Sequence, residues 1–433
     1  MMSSQTIRIA RRALAAATIV VFVPGSPLHA QIPDRLSLNE ALRIAQGNAP
    51  AISAAGKGIE AVRDMAVVAG QLPDPVLRLG VENLPANGPD AWKIANDFMT
   101  MRRVGIMQEY VSGNKRDLLR KRVELEAQRL DASRHRLTAN LRQDVAVAWF
   151  DRYYAGKSRE LVKSLEAEIE LQLRTLDPQI RAGKATVGDA SIASAALLQV
   201  QDRVLVADKQ ERVAQIALSR WLGADSAREP GVKPDIETLE LDPKNPTVLA
   251  SVPSLREHEA ESDIARADLA VTQSNRSSNW SWEFAYSQRG PAYANMVSFG
   301  VSIPLTFNAA NRQDREISAK QSQVEQARAL HEDVRRETEV ALASAYAEWR
   351  SLIDRRKRLS GTLLAVARQR LELSLGSYRS GQGNLASVLE ARRAEVEAQM
   401  QLLDLEREAA KVWAQLNFVY VEPSATQPKA GQP

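Results

Sequence analysis

The sequence predicts a mainly α-helical chain with a small β part. Strands from several copies would close a membrane barrel, and the helices would continue it as a tube. Three observations lead there: helical stretches far longer than a globular domain needs, four short segments of alternating polarity, and one plan read twice along the chain. The composition agrees. Of 433 residues only 5% are aromatic, and Ala, Leu, Gln, Glu and Arg dominate, as in long helices. The chain has no Cys, which excludes a disulfide framework, thiol catalysis and thiolate metal sites.

The first 30 residues read as an export signal. Arg8, Arg11 and Arg12 form a positive start, Ala13 to Val23 an apolar stretch, Pro24-Gly25-Ser26-Pro27 a helix break, and Ala30 a small residue for cleavage. The apolar stretch is shorter than the roughly 20 residues needed to span a bilayer as a helix. Without this segment 54 basic residues face 53 acidic ones, and that balance gives no support for nucleic-acid binding.

The repeat organises the rest. Ile180-Arg-Ala-Gly-Lys-Ala-Thr-Val187 matches Tyr378-Arg-Ser-Gly-Gln-Gly-Asn-Leu385 with Arg181/Arg379 and Gly183/Gly381 in register, and Trp149 and Tyr346 fall at nearly the same offset. The predicted division is a signal peptide at 1–30, a first repeat at 31–222, a Pro-punctuated linker at 223–253, a second repeat at 254–420 and a disordered tail at 421–433. In copy one, Ser37-Leu-Asn-Glu40 reads as a capping box opening a helix to about Gly70. Strands follow near 76–84 and 101–110, then helices over about 114–180 and 189–222, with Pro178 close to the end of the long one. Copy two predicts a helix near 254–275, strands near 280–289 and 296–305, and helices over 312–378 and 385–418. At 1.5 Å per residue each long helix is roughly 100 Å. Two shorter helices of about 34 residues, stacked end to end, would match that height. Leu389, Val396, Leu403 and Ala410 recur every seven residues, the seam spacing of a coiled coil. Helices alone are equally compatible with a secreted coiled-coil scaffold without a pore.

The strands separate these readings. Trp280, Trp282, Phe284 and Tyr286 alternate with Ser281, Glu283, Ala285 and Ser287; Val297, Phe299, Val301, Ile303 and Leu305 alternate with Ser298, Gly300, Ser302 and Pro304. In copy one, Leu77, Leu79 and Val81 alternate with Arg78, Gly80 and Glu82, while Val104, Ile106 and Tyr110 share a face with Gln108. Apolar-out, polar-in segments of about ten residues are the signature of outer-membrane barrels. Four strands cannot close, and open edges are not tolerated in lipid, so several copies must contribute. Both hairpin loops, Pro85 to Thr100 and Gly290 to Asn295, then lie on one side of the membrane and all helices on the other.

This arrangement resembles the outer-membrane efflux (TolC) family. Leu36-Ser-Leu-Asn-Glu-Ala-Leu42 followed by Asn48-Ala-Pro50 is similar to the family's first helix, and Tyr378-Arg-Ser-Gly381 followed by Leu385 and Val388-Leu-Glu-Ala391 to its helix-tip motif. The resemblance implies a homotrimer: a 12-stranded outer-membrane barrel joined to a periplasmic helical conduit. It further implies a periplasmic adaptor and an inner-membrane pump as partners, no cofactor and no enzymatic activity. The hairpin segment Asn83-Leu-Pro-Ala-Asn-Gly-Pro89 with Asp97-Phe-Met-Thr-Met-Arg-Arg103 and Met107-Gln-Glu109 resembles heavy-metal (CzcC-type) members. That implies metal cations as cargo and a pump of the RND class; a duct for drugs or for type I protein secretion is the same-fold alternative.

By the same resemblance Asp189 and Glu390 match carboxylates of the periplasmic gate. Three like charges in a neck repel anions and concentrate cations. Ser387 stands where a second acid is expected, and Gly383 replaces a basic residue that locks the closed state. Arg181, Gly183, Lys184, Arg379, Gly381 and Gln382 match adaptor-docking tips. Trp280, Trp282, Phe284, Tyr286, Phe299, Val301 and Ile303 are the expected membrane-facing residues. Met99, Met101 and Met107 have thioethers suited to soft metals, but Met also serves as apolar filler. His135, His258 and His331 are far apart and form no ligand motif, and the chain has no Gly-rich phosphate loop, HExxH or nucleophile elbow.

Overall fold

The computed structural model describes residues 35–420, with Lys184, Glu240 and Lys244 excepted. The expected signal peptide at 1–30, the tail at 421–433 and Lys184 therefore lie outside the described residues. The order is α1 (Leu38–Gly47), α2 (Pro50–Ala69), β1 (Val76–Glu82), β2 (Met101–Tyr110), α3 (Gly113–Arg181), α4 (Val187–Leu222), α5 (Pro246–Ser251), α6 (Pro253–Ser274), β3 (Trp280–Gln288), β4 (Met296–Ser302), α7 (Gln313–Arg358), α8 (Leu364–Arg379) and α9 (Leu385–Val419). A single π-helical turn, Leu359–Leu363, joins α7 to α8.

The four strands form one antiparallel sheet in the order β1-β2-β3-β4. Its register sets Gly105 opposite Ala285 and Arg78 opposite Gly105. On the helical side α3 is the shared spine. Nearer the sheet, α2, α3, α6 and α7 pack side by side in that order; toward the far end the order is α4, α3, α9, α8. At 69 residues α3 is roughly 104 Å long, while α2 and α4 hold 20 and 36 residues and α6 and α9 hold 22 and 35. The stacked pairs are thus shorter than expected. The missing height is filled by a belt of irregular chain, α1 and α5, wrapped around the middle of the rods.

That belt encloses the main core. Trp149, Phe150, Tyr154, Leu218, Leu342, Trp349, Ala409, Ala410 and Leu416 pack there with Leu36 and Ile236 from the belt itself. Smaller clusters continue downward: Val162, Leu165, Ile169, Val200, Val204 and Val396, then Leu176, Ala193 and Leu385 near the tip. Val396 and Ala410 of the expected seven-residue seam are buried, and Leu389 and Leu403 pack against the clusters.

Three expectations are corrected. The first helix is two, because Pro50 disfavours helical backbone at Ala49, whose φ of −85° and ψ of 103° are extended; Pro50 then starts α2 at a position where its missing N–H is harmless. The helix expected over 312–378 is interrupted by the π turn, whereas α3 runs unbroken through Pro178 to Arg181. Strands β1, β3 and β4 stop at Glu82, Gln288 and Ser302, short of 84, 289 and 305. Ile303 accordingly lies one residue past β4.

Candidate functional site

The sheet has two chemically opposite faces. One carries Leu77, Leu79, Val81, Val104, Ile106, Phe284, Tyr286, Val297, Phe299 and Val301, with Leu79 70% and Phe299 67% exposed in the single chain. Stripping such a surface of water is what a bilayer offers. Trp280, Trp282 and Tyr110 share this face at the end nearest the helices, with the Tyr110 and Trp280 rings 5.1 Å apart. Aromatic rings with a polar handle favour that membrane–water boundary. Polar residues on this face are Arg102 and Gln288, a pair at its far end, and Gln108, which turns its amide to the Pro73 carbonyl at 2.6 Å.

The other face carries Arg78, Glu82, Arg103, Glu109, Glu283, Ser281, Ser287, Ser298 and Ser302, interleaved with Gly80, Gly105, Ala285 and Gly300. Arg103 bonds Glu82 at 2.8 Å and Glu283 at 3.0 Å, and Arg78 reaches Glu283 at 3.4 Å. Met101 and Met107 lie on this polar face. The Arg78 guanidinium is 3.0 Å from the Met107 sulfur, a poor arrangement for receiving a metal cation. Among the described residues no group of His, Asp and Glu could hold a metal, and no helix is long and apolar enough to cross a membrane.

Each end of the wall is unfinished in the same way at every height. On one side stand β1, α2 and α4; on the other, β4, α7 and α8. Val187, Leu198, Leu205 and Ile216 recur on one line of α4, each exposed, and Val340 on α7 with Val366 and Leu373 on α8 are exposed on the opposite edge. Strand edges with unpaired backbone groups and helix flanks with apolar stripes both require a neighbour.

At the far end the wall turns back on itself twice. Gly183 and Gly381 take φ of +72° and +76°, left-handed values that a side chain disfavours. The α3–α4 turn enters α4 through a capping box: Thr186 N–H and hydroxyl donate to the Asp189 carboxylate at 2.9 and 2.7 Å, and Asp189 N–H donates to the Thr186 hydroxyl at 3.2 Å. These hydrogen bonds, the backbone one foremost, hold the Asp189 carboxyl below its ordinary range. Asp189 is the third residue of α4, and Thr186 is the N-cap. In the second turn Asn384 caps α9, accepting from Ser387 N–H at 2.8 Å. Ser387, the position where an acid was expected, thus faces back into the cap. Glu390 accepts from Arg370 on α8 at 2.9 Å, and both side chains are exposed. Tyr378 donates its phenol to Gln179 at 3.2 Å, tying the α8 tip to α3. Gly383 sits against the last turn of α8; a Cβ there would come within 3.1 Å of Ser377 and Tyr378, so any longer residue would displace the turn. Arg181 and Arg379 lie at the ends of α3 and α8, and the Arg181 side chain is 80% exposed.

The belt holds the two long rods by one device used twice. Trp149 of α3 donates its indole N–H to the Leu36 carbonyl, and Trp349 of α7 donates to the Ile236 carbonyl, each at 3.0 Å. Trp349, not Tyr346, stands where Trp149 stands. The signal in the sequence is the recurrence of Trp itself at 149 and 349, close to the spacing of the repeat. Missed altogether was the charged clamp beside it: Glu406 on α9 accepts from Lys233 and Arg356, each at 2.8 Å, and Arg356 also reaches Glu237 in the belt. Burial pushes the Glu406 carboxyl up, but the hydrogen bonds and charges of Lys233 and Arg356 prevail and hold it below its ordinary range. Glu40 on α1 is clamped to Arg228 by two bonds of 2.9 and 3.1 Å, which lower its carboxyl in the same sense.

The fold and its surfaces define a class: a helical wall rooted in a membrane by a one-sided sheet and shaped to be closed by further copies. Residues 243–419 match the family model described as outer membrane efflux protein. No curated protein matches the chain. Among solved structures, a membrane protein from Pseudomonas aeruginosa is 19% identical with a TM-score of 0.74, over 88% of this chain and 90% of that one. The outer membrane protein VceC from Vibrio cholerae is 16% identical with a TM-score of 0.69, over 88% and 94%. The MtrE outer membrane channel of Neisseria gonorrhoeae, solved in its open state, is 15% identical with a TM-score of 0.71, over 88% and 87%. At these identities the likeness is one of fold. Residues 243–419 thus carry the outer membrane efflux protein domain, and the chain as a whole shares the fold of these outer-membrane channels.

Proposed function

We propose that three copies of this chain close edge to edge into a passive exit duct for a tripartite efflux system. The observation that carries it is the coincidence of open edges along the whole wall. Joining β4 to the next copy's β1, and the stripe of α7 and α8 to that of α2 and α4, finishes barrel and tube with one heterologous contact. Such a contact makes a ring when its rotation closes. Three copies give 12 strands; the polar face becomes the lumen and the apolar face meets lipid. The duct binds no cofactor and performs no catalysis, so transport energy must come from an inner-membrane partner. An RND-type pump and a periplasmic adaptor are the partners proposed, with the adaptor meeting the turns around Gly183 and Gly381, including Arg181, Lys184, Arg379 and Gln382. Asp189 and Glu390 are proposed to line the periplasmic neck. The cargo proposed is heavy-metal cations, supported by the resemblance of the first hairpin; drugs are the competing cargo.

Conductance across a planar bilayer, together with a heat-sensitive trimer after detergent extraction, tests the duct; a non-conducting monomer would end it. Cargo is tested by deleting the gene from a strain without a redundant channel. Metal sensitivity with unchanged drug tolerance is expected, and the reverse pattern would reassign the cargo to drugs. Crosslinking from Gln382 in the assembled system should capture the adaptor.

A further inference from the structure

We infer that the inward face of the sheet is a charge-compensated collar, with Arg103 as the residue that keeps the barrel lumen indifferent to the sign of passing ions. The inference rests on the duct reading and adds to it where selectivity is suppressed. Arg103 on β2 holds Glu82 on β1 at 2.8 Å and Glu283 on β3 at 3.0 Å, and Arg78 on β1 crosses to the same Glu283 at 3.4 Å. Two guanidinium groups therefore answer two carboxylates across three strands of each copy.

The geometry shows why these long side chains lie along the wall. Arg103 stands level with Ser287, four residues from Glu283 along β3, so the two must stretch toward each other over the pair between them. That pair is Gly105 opposite Ala285. A Cβ on Gly105 would come within 3.0 Å of the Ala285 methyl and 3.3 Å of the Glu283 carboxylate. The glycine is the floor over which Arg103 and Glu283 meet and over which Arg78 passes. The third carboxylate of this face, Glu109, accepts from Asn279 at 2.8 Å, and Asn279 accepts from Lys115 at 3.1 Å, so it too is answered by a cation. A ring of fixed charge of one sign selects ions; a ring that is internally neutral does not. Arg103 is central because its loss strips Glu82 of a partner and leaves Glu283 only the longer contact to Arg78. In three copies that exposes a net surplus of three carboxylates.

Reversal potentials in a planar bilayer under a potassium chloride gradient test this. The more dilute side is kept near 0.1 M, where charges act over about 10 Å. The barrel with its native lumen, in a protein whose proposed neck carboxylate is neutralised by Glu390→Gln as in every protein compared, so that the neck does not dominate, should show weak selectivity. Arg103→Gln should raise the potassium-to-chloride permeability ratio by roughly twofold or more. Arg103→Lys should leave it near the starting value. Glu283→Gln should move it the other way, toward chloride, and misfolding cannot produce shifts of opposite sign from two variants of one network. Gly105→Val should also change selectivity with no charge altered, by prising the pair apart. Conducting variants whose reversal potentials all coincide with the starting protein would overturn the collar and leave the duct standing. A starting protein that never conducts would overturn both.

Discussion

The two long rods of the chain are nearly equal in span and unlike in construction. The first, α3, runs 69 residues without a break. The second reaches the tip in two pieces, α7 and α8, separated by the π turn at Leu359–Leu363. Both are pinned to the belt by an indole hydrogen bond; α3 pairs its Asp151 with Arg407 and Lys411 of α9, and the second rod carries the clamp of Arg356, Glu406, Lys233 and Glu237, which reaches the belt, just above its break. Below the break α8 packs on α9 through Leu364, Ala367 and Ala398, a small cluster beside the larger one that α3 shares with α4. A π turn inserts one extra residue per turn and weakens the local hydrogen-bond ladder. The difference teaches that a repeated plan can keep its anchors while dividing mechanical roles: a stiff inner spine, and a second rod at the edge of the wall, jointed below a firm clamp.

Substitutions at the anchors should break the likeness most. Trp149→Ala removes a fully buried ring and its hydrogen bond, and should cost about 3–5 kcal/mol. Trp349→Ala, whose ring is 8% exposed, should cost nearer the lower end of that range. Urea midpoints followed by the fluorescence of the remaining tryptophans would measure both, and a negligible cost at Trp349 would dissolve the equivalence.

The clamp comes next. Glu406→Leu leaves Lys233 without its carboxylate and Arg356 with Glu237 alone, and should cost about 3 kcal/mol. Its protonation follows a definite sign. The folded carboxyl is held below the ordinary 4.5, so its contribution is present above that value and is lost as the pH falls through the lower, folded value. Thermal midpoints measured from pH 6 to pH 3 should fall more gently in Glu406→Gln than in the wild type.

At the tips the two copies should respond alike. Gly183→Ala and Gly381→Ala force a Cβ into left-handed backbone and should cost about 1–2 kcal/mol each. Thr186→Ala and Asn384→Ala remove one N-cap apiece and should each cost about 1 kcal/mol, read as earlier exchange of amide hydrogens in the first turns of α4 and α9. The smallest effect is expected at the joint. Gly361 meets open space on the side where a Cβ would stand, so Gly361→Ala should stabilise by about 0.5–1 kcal/mol. A loss there instead would show that the π turn needs glycine.

Much of this was legible beforehand because it depends on short-range rules. The alternation of Trp280 to Ser287 placed Phe284 and Tyr286 on one face and Glu283 on the other, since side-chain direction in a strand has a period of two. The span of α3 and the two tip glycines are legible in the same way. The π turn left no comparable trace: Leu359-Ser-Gly-Thr-Leu363 breaks no helical pattern strongly enough to be seen. Asp189 and Ser387 could be placed near the tip by position, but not that their side chains close caps, because that depends on rotamers set by the turn. The 223–253 part of the belt reads from sequence only as a linker. Its residues show no period, and Leu36, Arg228, Lys233 and Ile236 acquire partners more than 100 residues distant.

By itself the sequence determined which segments are rods, which are ribbons, and which face of each ribbon is apolar, because propensity and periodicity act between residues a few positions apart. The tertiary structure alone decided which residues carry the load between segments: the Trp anchors on belt carbonyls, the Glu406 clamp, and the Arg103 bridge across three strands. Hydrogen bonds and charges reach only a few ångströms, so their partners are chosen by how the rods and strands come to lie against one another.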